Sequence, residues 1–272
     1  MKIPARAKIL VFAVAFVKAG FAPTRRAQAR GDFDLASTDI TIFVPDTDQV
    51  IGHGHYEVVI GKEFDTVKGE NKYLDGEYDH EEQTVQPSTG GVPPVLVSYR
   101  HQYFNPDGSL QYEDSLDART GAAACHHYEG SVPDVHDSVL KVPSDTYAGA
   151  TQLMLLVGRL RQGASEITFN SYNCLPEPRI VPVTAVPAKY PVAWERYPGQ
   201  LVKLEMRPDF GWLNTFIAPF VPKVYGWFDP ASSFNYVGGQ FDRFFKGRHV
   251  LMVRNHDDNR VVEGSQARSG AH

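Results

Sequence analysis

From Asp39 to Arg254 the chain alternates polar residues with apolar or β-branched ones in short runs broken by glycine and proline. A period of two sends successive side chains to opposite faces of a strand, so the pattern predicts a series of half-buried β-strands. They fall at 39–44, 55–60, 95–104, 111–118, 122–129, 138–142, 166–174, 179–186, 200–206 and 249–254. Asn105-Pro106-Asp107-Gly108 and Arg119-Thr120-Gly121 are tight-turn sequences, so three of these strands form an antiparallel meander. Residues 86–94, "QPSTGGVPP", read as a long loop, because the β pattern is alike on both sides.

One segment has a different period. In "SDTYAGATQLMLLVGRLRQG", Leu153, Leu156, Val157 and Leu160 recur at i, i+3, i+4 and i+7, one face of an α-helix. Asp145 or Thr146 is the predicted N-terminal cap, Arg159 and Arg161 suit the negative C-terminal end, and Gly163 is a stop. A single amphipathic helix is therefore expected to cross the sheet.

The ends read differently from the body. Residues 1–29 carry Lys2, Arg6 and Lys8, then the apolar run "ILVFAVAFV", then small residues at 27–29, the order of parts in a secretory signal peptide. Nine apolar residues cover about half a bilayer core, so a permanent transmembrane helix is disfavoured, although Lys18, Arg25 and Arg26 leave an uncleaved anchor as the alternative. Residues 30–256 are expected to form one β-rich domain and 257–272 a flexible tail. Export, to the periplasm or medium, is the expected localisation.

Cleavage changes the charge. The chain has 42% hydrophobic and 22% charged residues and a net charge of −5, but residues 1–29 hold six basic residues and no acidic ones. Residues 30–272 then carry 21 basic against 32 acidic residues, a net of −11. Such a surface repels phosphate backbones and excludes nucleic acid as a natural partner. In an oxidising compartment the two cysteines, Cys125 and Cys174, are expected to join, with two separately buried thiols as the alternative.

Candidate chemistry is sparse. His53 and His55 in "GHGHYE" lie on one strand face with Glu57 beyond them, a metal-capable pattern that equally describes the wet side of a strand. Adjacent His126 and His127 point to opposite faces. "YLDGEYDHEEQ" places Asp75, Glu77, Asp79 and Glu81 in alternation; either one strand carries all four carboxylates on a face, or Asp75-Gly76 is a hairpin turn that divides them. No nucleophile elbow, metalloprotease helix, Walker loop or C-x-x-C pair is present. No cofactor or metal is expected, and His101, Asp79 and Tyr99 are the candidates if the interior is catalytic.

The densest feature is aromatic: 12 of the 36 residues from Phe210 to Phe245 are Phe, Tyr or Trp. Pro219, Pro222, Lys223 and Pro230 interrupt it too often for a membrane span. The rings are either ordinary core or, with "GWLNTFIAPFVPK" as a short helix or lid, the wall of an apolar cavity. On the second reading Trp212, Phe216, Phe220, Tyr225, Trp227 and Phe228 are the wall. Leu156, Leu160 and Phe169, with Leu153 and Ile167, are the floor, and Arg207, Asp209 and Arg243 are polar anchors.

The segment "VPSDTYAGATQLMLLVGRLRQG" opening into "EITFNSYNC", set among β-hairpins, resembles uncharacterised exported bacterial proteins with a curved antiparallel sheet, similar to the lipoprotein-carrier (LolA/LolB-like) half-barrel. The resemblance spans about residues 50–254 and is one of organisation, so it carries over no individual residue. It implies a sheet wrapped around an apolar groove and plugged by a helix. The expected protein is mostly β, a half-barrel or lipocalin-like sheet binding an apolar small molecule or lipid without catalysis. A barrel-type hydrolase or isomerase and a cell-envelope interaction module are the alternatives.

Overall fold

The structure is a computed structural model that describes residues 37–87, 93–130, 132–188, 200–211, 223–244 and 247–255. The predicted signal peptide, the tail, most of the predicted lid, and with them Trp212, Phe216 and Phe220 lie outside these residues.

The strands are β1 (Ser37–Phe43), β2 (Val50–Val59), β3 (Asp65–Tyr73), β4 (Tyr78–Gln86), β5 (Val95–Phe104), β6 (Leu110–Asp117), β7 (Ala122–His127), β8 (Asp134–Val139) and β9 (Thr146–Tyr147). After helix α1 (Ala150–Arg161) come β10 (Ile167–Cys174), β11 (Pro178–Pro187), β12 (Val202–Pro208), β13 (Val224–Asp229), β14 (Asn235–Asp242) and β15 (His249–Arg254). The protein is thus mostly β with one long helix among the described residues, as the periodicities predict.

All fifteen strands belong to one sheet. One meander runs from β1 outward to β8, a second from β10 back to β15, and β1 and β15 pair in the middle. Every pairing is antiparallel except the short β9–β10 pair. Among the described residues the sheet is not closed, because β8 and β9 are its terminal strands.

The covalent chain forces this sheet to curl. Laid flat, fifteen strands would span about 67 Å at about 4.8 Å per strand. Yet the edge strands β8 and β9 are joined by residues 140–145 alone, a reach of at most about 25 Å. The two arms therefore overlap face to face. Tyr172 on β10 brings its hydroxyl within 2.7 Å and 3.0 Å of the carbonyl oxygens of Ser115 and Ala124, on β6 and β7. The Cys125–Cys174 disulfide ties β7 to β10 at the same overlap.

Helix α1 fills the interior of the second arm. Leu155, Leu156, Val157 and Leu160 pack with Phe169, Val183, Ala185, Leu204 and Phe228. Because strands surround the helix, burial spreads beyond the predicted stripe: Leu155 is buried, while Leu153 is only partly covered. Arg159 and Arg161 occupy the last turn as expected, and Gly163, at φ +81°, donates to the Leu160 carbonyl and ends the helix.

The start of α1 departs from prediction. Neither Asp145 nor Thr146 caps it; Thr146 belongs to β9 and the N-cap is Gly149 at φ 44°. The first two helical N–H groups are instead satisfied from the opposite wall. Ala150 donates to Glu81 Oε1 at 2.9 Å and Thr151 to Gln83 Oε1 at 2.8 Å, both on β4. A helix end buried against the sheet needs such partners, because water cannot reach it.

Strands β3, β4, β13 and β14, and the two-residue β9, were not among the predicted ones. In β3 and β4 the inward positions mix Val67, Tyr73 and Val85 with Asp65, Asn71, Asp79, Glu81 and Gln83, so the apolar half of the alternation is interrupted by polar residues. Asp75-Gly76 forms the hairpin turn of the second reading: Gly76, at φ +92°, donates to the Tyr73 carbonyl, and Tyr73 donates to that of Glu77. Among the described residues no helix is long and apolar enough to cross a membrane.

Candidate binding groove and the polar interior behind it

The first arm has a polar outer face and an inner face that combines an apolar cluster around Leu96, Tyr112 and Leu116 with buried polar side chains. Cross-strand registers arrange its outward side chains in rows. One row runs Glu57, Lys68, Glu82, Arg100, Ser115, Ala124, Asp137 from β2 to β8. Beside it runs His55, Glu70, His80, Gln102, Glu113, His126, Val135. The first row, with His55, Glu70, His80 and Gln102 of the second, lines an open groove of about 1070 Å³. Ser98, Ser115, Ala122 and Ala124 are short and line its β5–β7 stretch; longer charged residues rise on either side, Lys68, Glu82 and Arg100 on one and Asp117 and Asp137 on the other.

Charges along the groove are partly neutralised. Lys72 reaches Glu70 at 2.7 Å, Arg100 reaches Glu113 at 3.0 Å, and His126 meets Asp137 at 2.9 Å. Exposed pairs of this kind contribute little to stability and leave the groove free to exchange partners with a ligand.

Behind the groove, on the inner face, lies a buried polar network. Asp79 and Glu81 are successive inward positions of β4; Glu81 stands opposite His101, and His101 opposite Asp114. His101 Nε2 lies 3.1 Å from Asp79 Oδ1, which also accepts from Asn71 Nδ2 at 2.7 Å. The His101 Nδ1 side meets the Tyr103 hydroxyl oxygen at 3.0 Å, while that hydroxyl donates to the Arg243 carbonyl. With acceptors on both nitrogens, the geometry suits a doubly protonated imidazole. Burial opposes that charge, but the hydrogen bond and field of Asp79, helped by Glu81 and Asp114, outweigh it and raise the His101 pKa to about 9.

Asp114 accepts from the Tyr99 hydroxyl at 3.2 Å. Burial pushes its carboxyl up to about 7, against the opposing pull of His101 and Tyr99. The chain of contacts continues to the helix: the Tyr56 hydroxyl donates to Glu81 Oε2 at 3.2 Å, and Asn71 bridges Tyr56 to Asp79. Arg243 closes the other end, paired with Glu77 and stacked 3.6 Å over the Tyr73 ring. Arg248, whose carbonyl accepts from the Arg243 N–H, pairs with Asp75 at 2.9 Å, so the residues just after β14 and just before β15 grip the β3–β4 turn.

The sequence candidates divide accordingly. Leu156, Leu160, Phe169 and Phe228 are brought together in one apolar cluster, each at most 5% exposed, with Ile167 among them. Tyr225 and Trp227 take the opposite face of β13, where Lys203 lies 3.8 Å over the Tyr225 ring. Arg207 makes a surface pair with Glu205, and the Asp209 carboxylate accepts from the Gly211 N–H. His101, Asp79 and Tyr99 do meet. His55 bonds Asp39 at 2.7 Å, and among the described residues no three His, Cys, Asp or Glu side chains gather as a metal-holding group. Glu81, Gln83, Asn71 and Asp114 were not foreseen as a network; the alternating acids of 75–81 were its one visible signal.

No family model matches the chain, and no curated protein matches it. Among solved structures it is similar to the crystal structure of a beta-barrel-like protein of Domain of Unknown Function DUF1849 from Brucella abortus. The two are 12% identical, with 80% of this chain and 94% of that one covered, at a TM-score of 0.45.

Proposed function

We propose that this chain is an exported, non-catalytic binding protein of barrel-like fold whose ligand is polar and lies in the groove on the outer face of β2–β8. The observation that carries the reading is the groove: its volume is that of a small-molecule site, and its walls offer carboxylates, a guanidinium, an ammonium and imidazoles over a floor of small side chains. The disulfide supports an oxidising compartment. An apolar or lipid ligand, the expectation from the aromatic segment, has less geometric support, since Leu156, Leu160, Phe169 and Phe228 pack against one another.

A thermal-shift screen of polyamines, dicarboxylates and short neutral oligosaccharides tests the reading, run on the full chain and on Lys68→Glu/Arg100→Glu. At least one class should raise the melting temperature, and the double variant should lose or change that response with its circular dichroism intact. A flat screen, or a response the double variant retains, rejects the groove as the site.

One observation favours a second reading, a barrel-type hydrolase or isomerase: the Asp79–His101 pair with tyrosine hydroxyls on the far nitrogen is a general acid–base arrangement. Under that reading His101→Gln abolishes turnover of p-nitrophenyl esters or of an isomerisable ketosteroid, and no turnover by the unaltered chain removes it.

A further inference from the structure

We propose that the free edge of β8 docks an extended peptide segment of a partner protein, with the pattern apolar–x–basic–x–apolar. β8 is a terminal strand of the sheet: β7 pairs with one side of its backbone, and among the described residues no strand pairs with the other. The opposite terminal strand, β9, is only two residues long and both are buried. β8 offers six residues, enough for strand addition, in which main-chain hydrogen bonds supply affinity and alternate side chains supply specificity.

The outward side chains of β8 state what the added strand would carry. Val135 and Val139 are 48% and 79% exposed, and Asp137 stands between them with its side chain 71% exposed. Cross-strand neighbours favour apolar against apolar and opposite charges against each other. An incoming strand therefore matches best with valine or isoleucine beside the two valines and lysine or arginine beside Asp137.

The same chemistry argues against a second copy of this chain. Antiparallel pairing of β8 with itself that sets Val135 against Val139 also sets Asp137 against Asp137, a like-charge contact. A basic segment meets no such penalty, and the net charge of −11 on residues 30–272 attracts it. The inference does not depend on which ligand the groove takes, although Asp137 and Val139 also line the groove's end.

The test uses the full chain and a fluorescent nine-residue peptide, Thr-Thr-Val-Thr-Lys-Thr-Val-Thr-Thr, with a second peptide carrying Glu in place of Lys. The Lys peptide should bind about tenfold more tightly than the Glu peptide, a difference of about 1.4 kcal/mol. Its binding should slow hydrogen exchange of the amides of residues 134–139, and Asp137→Lys should reverse the preference. Lys68→Glu, at the groove's far end, should leave peptide binding unchanged. Equal binding of the two peptides, unaltered exchange in β8, or indifference to Asp137→Lys overturns the proposal. Peptide binding lost in Lys68→Glu and kept in Asp137→Lys also overturns it while leaving the groove reading intact. Concentration-dependent dimers that protect the same amides would make a second copy the occupant and reject the basic peptide.

Discussion

The carboxylate of Glu81 accepts a hydrogen bond from the backbone N–H of Ala150 at 2.9 Å, across 69 positions of sequence. One acidic side chain on β4 thereby does for helix α1 what a local cap does elsewhere, and it links the helix to the buried network that ends at Asp114 and Arg243.

Glu81→Ala removes that acceptor and leaves a buried helix N–H unpaired. Chemical denaturation is expected to show a loss of about 2 to 3 kcal/mol, because the lost bond is to a charged group. Glu81→Gln should lose less. Gly149→Ala should also destabilise, since its Cβ would overlap the Glu81 carboxylate and its φ of 44° disfavours a side chain.

The pH dependence of stability follows from His101. Its folded pKa of about 9 is raised above the ordinary 6.5, so the folded state holds the proton more tightly. The resulting stabilisation, about 3 kcal/mol, is fully present below pH 6.5 and is lost as pH rises through 9. Asp114, raised to about 7, has the same sign and adds a decline between about pH 4 and 7. Melting temperature measured from pH 6 to 10 should fall, and His101→Gln should flatten the curve. A rise across that range would exclude a charged His101 in the fold.

The disulfide closes a separation of 49 residues between the two overlapping arms. Cys125→Ser/Cys174→Ser should cost about 4 kcal/mol in the chain-entropy picture. Limited proteolysis should then accelerate in the 140–145 connection that bridges the same overlap.

Export remains testable by intact mass. Expression in a bacterium with the full leader should yield, from the periplasm or medium, a chain shorter by 29 residues that gains two daltons on reduction. Recovery of the uncut chain in the membrane fraction would favour the anchor alternative.

Local periodicity carried much of the architecture. Nine of the strand segments, the presence of one helix and its C-terminal stop were legible because each depends on neighbours within a few residues, while the strand predicted at 138–142 lies at 134–139 and the helix starts later than its predicted cap. The hairpin at Asp75-Gly76 was legible only as one of two readings. β3 and β4 escaped because Asp65, Asn71, Asp79, Glu81 and Gln83 share their inward faces with only three apolar residues, Val67, Tyr73 and Val85, so hydrophobic alternation is broken there.

What sequence alone determined was a strand-rich chain with one helix and a cysteine pair, since alternation, turn chemistry and residue count act over short range. Tertiary structure decided the rest: six residues between the edge strands curl the sheet, and side chains from seven separate strands, six of them contributing charges, come to line one groove. It also brings Glu81 to the start of α1 and Asp79 to His101. Those meetings depend on register and closure over tens of residues, quantities no local pattern contains.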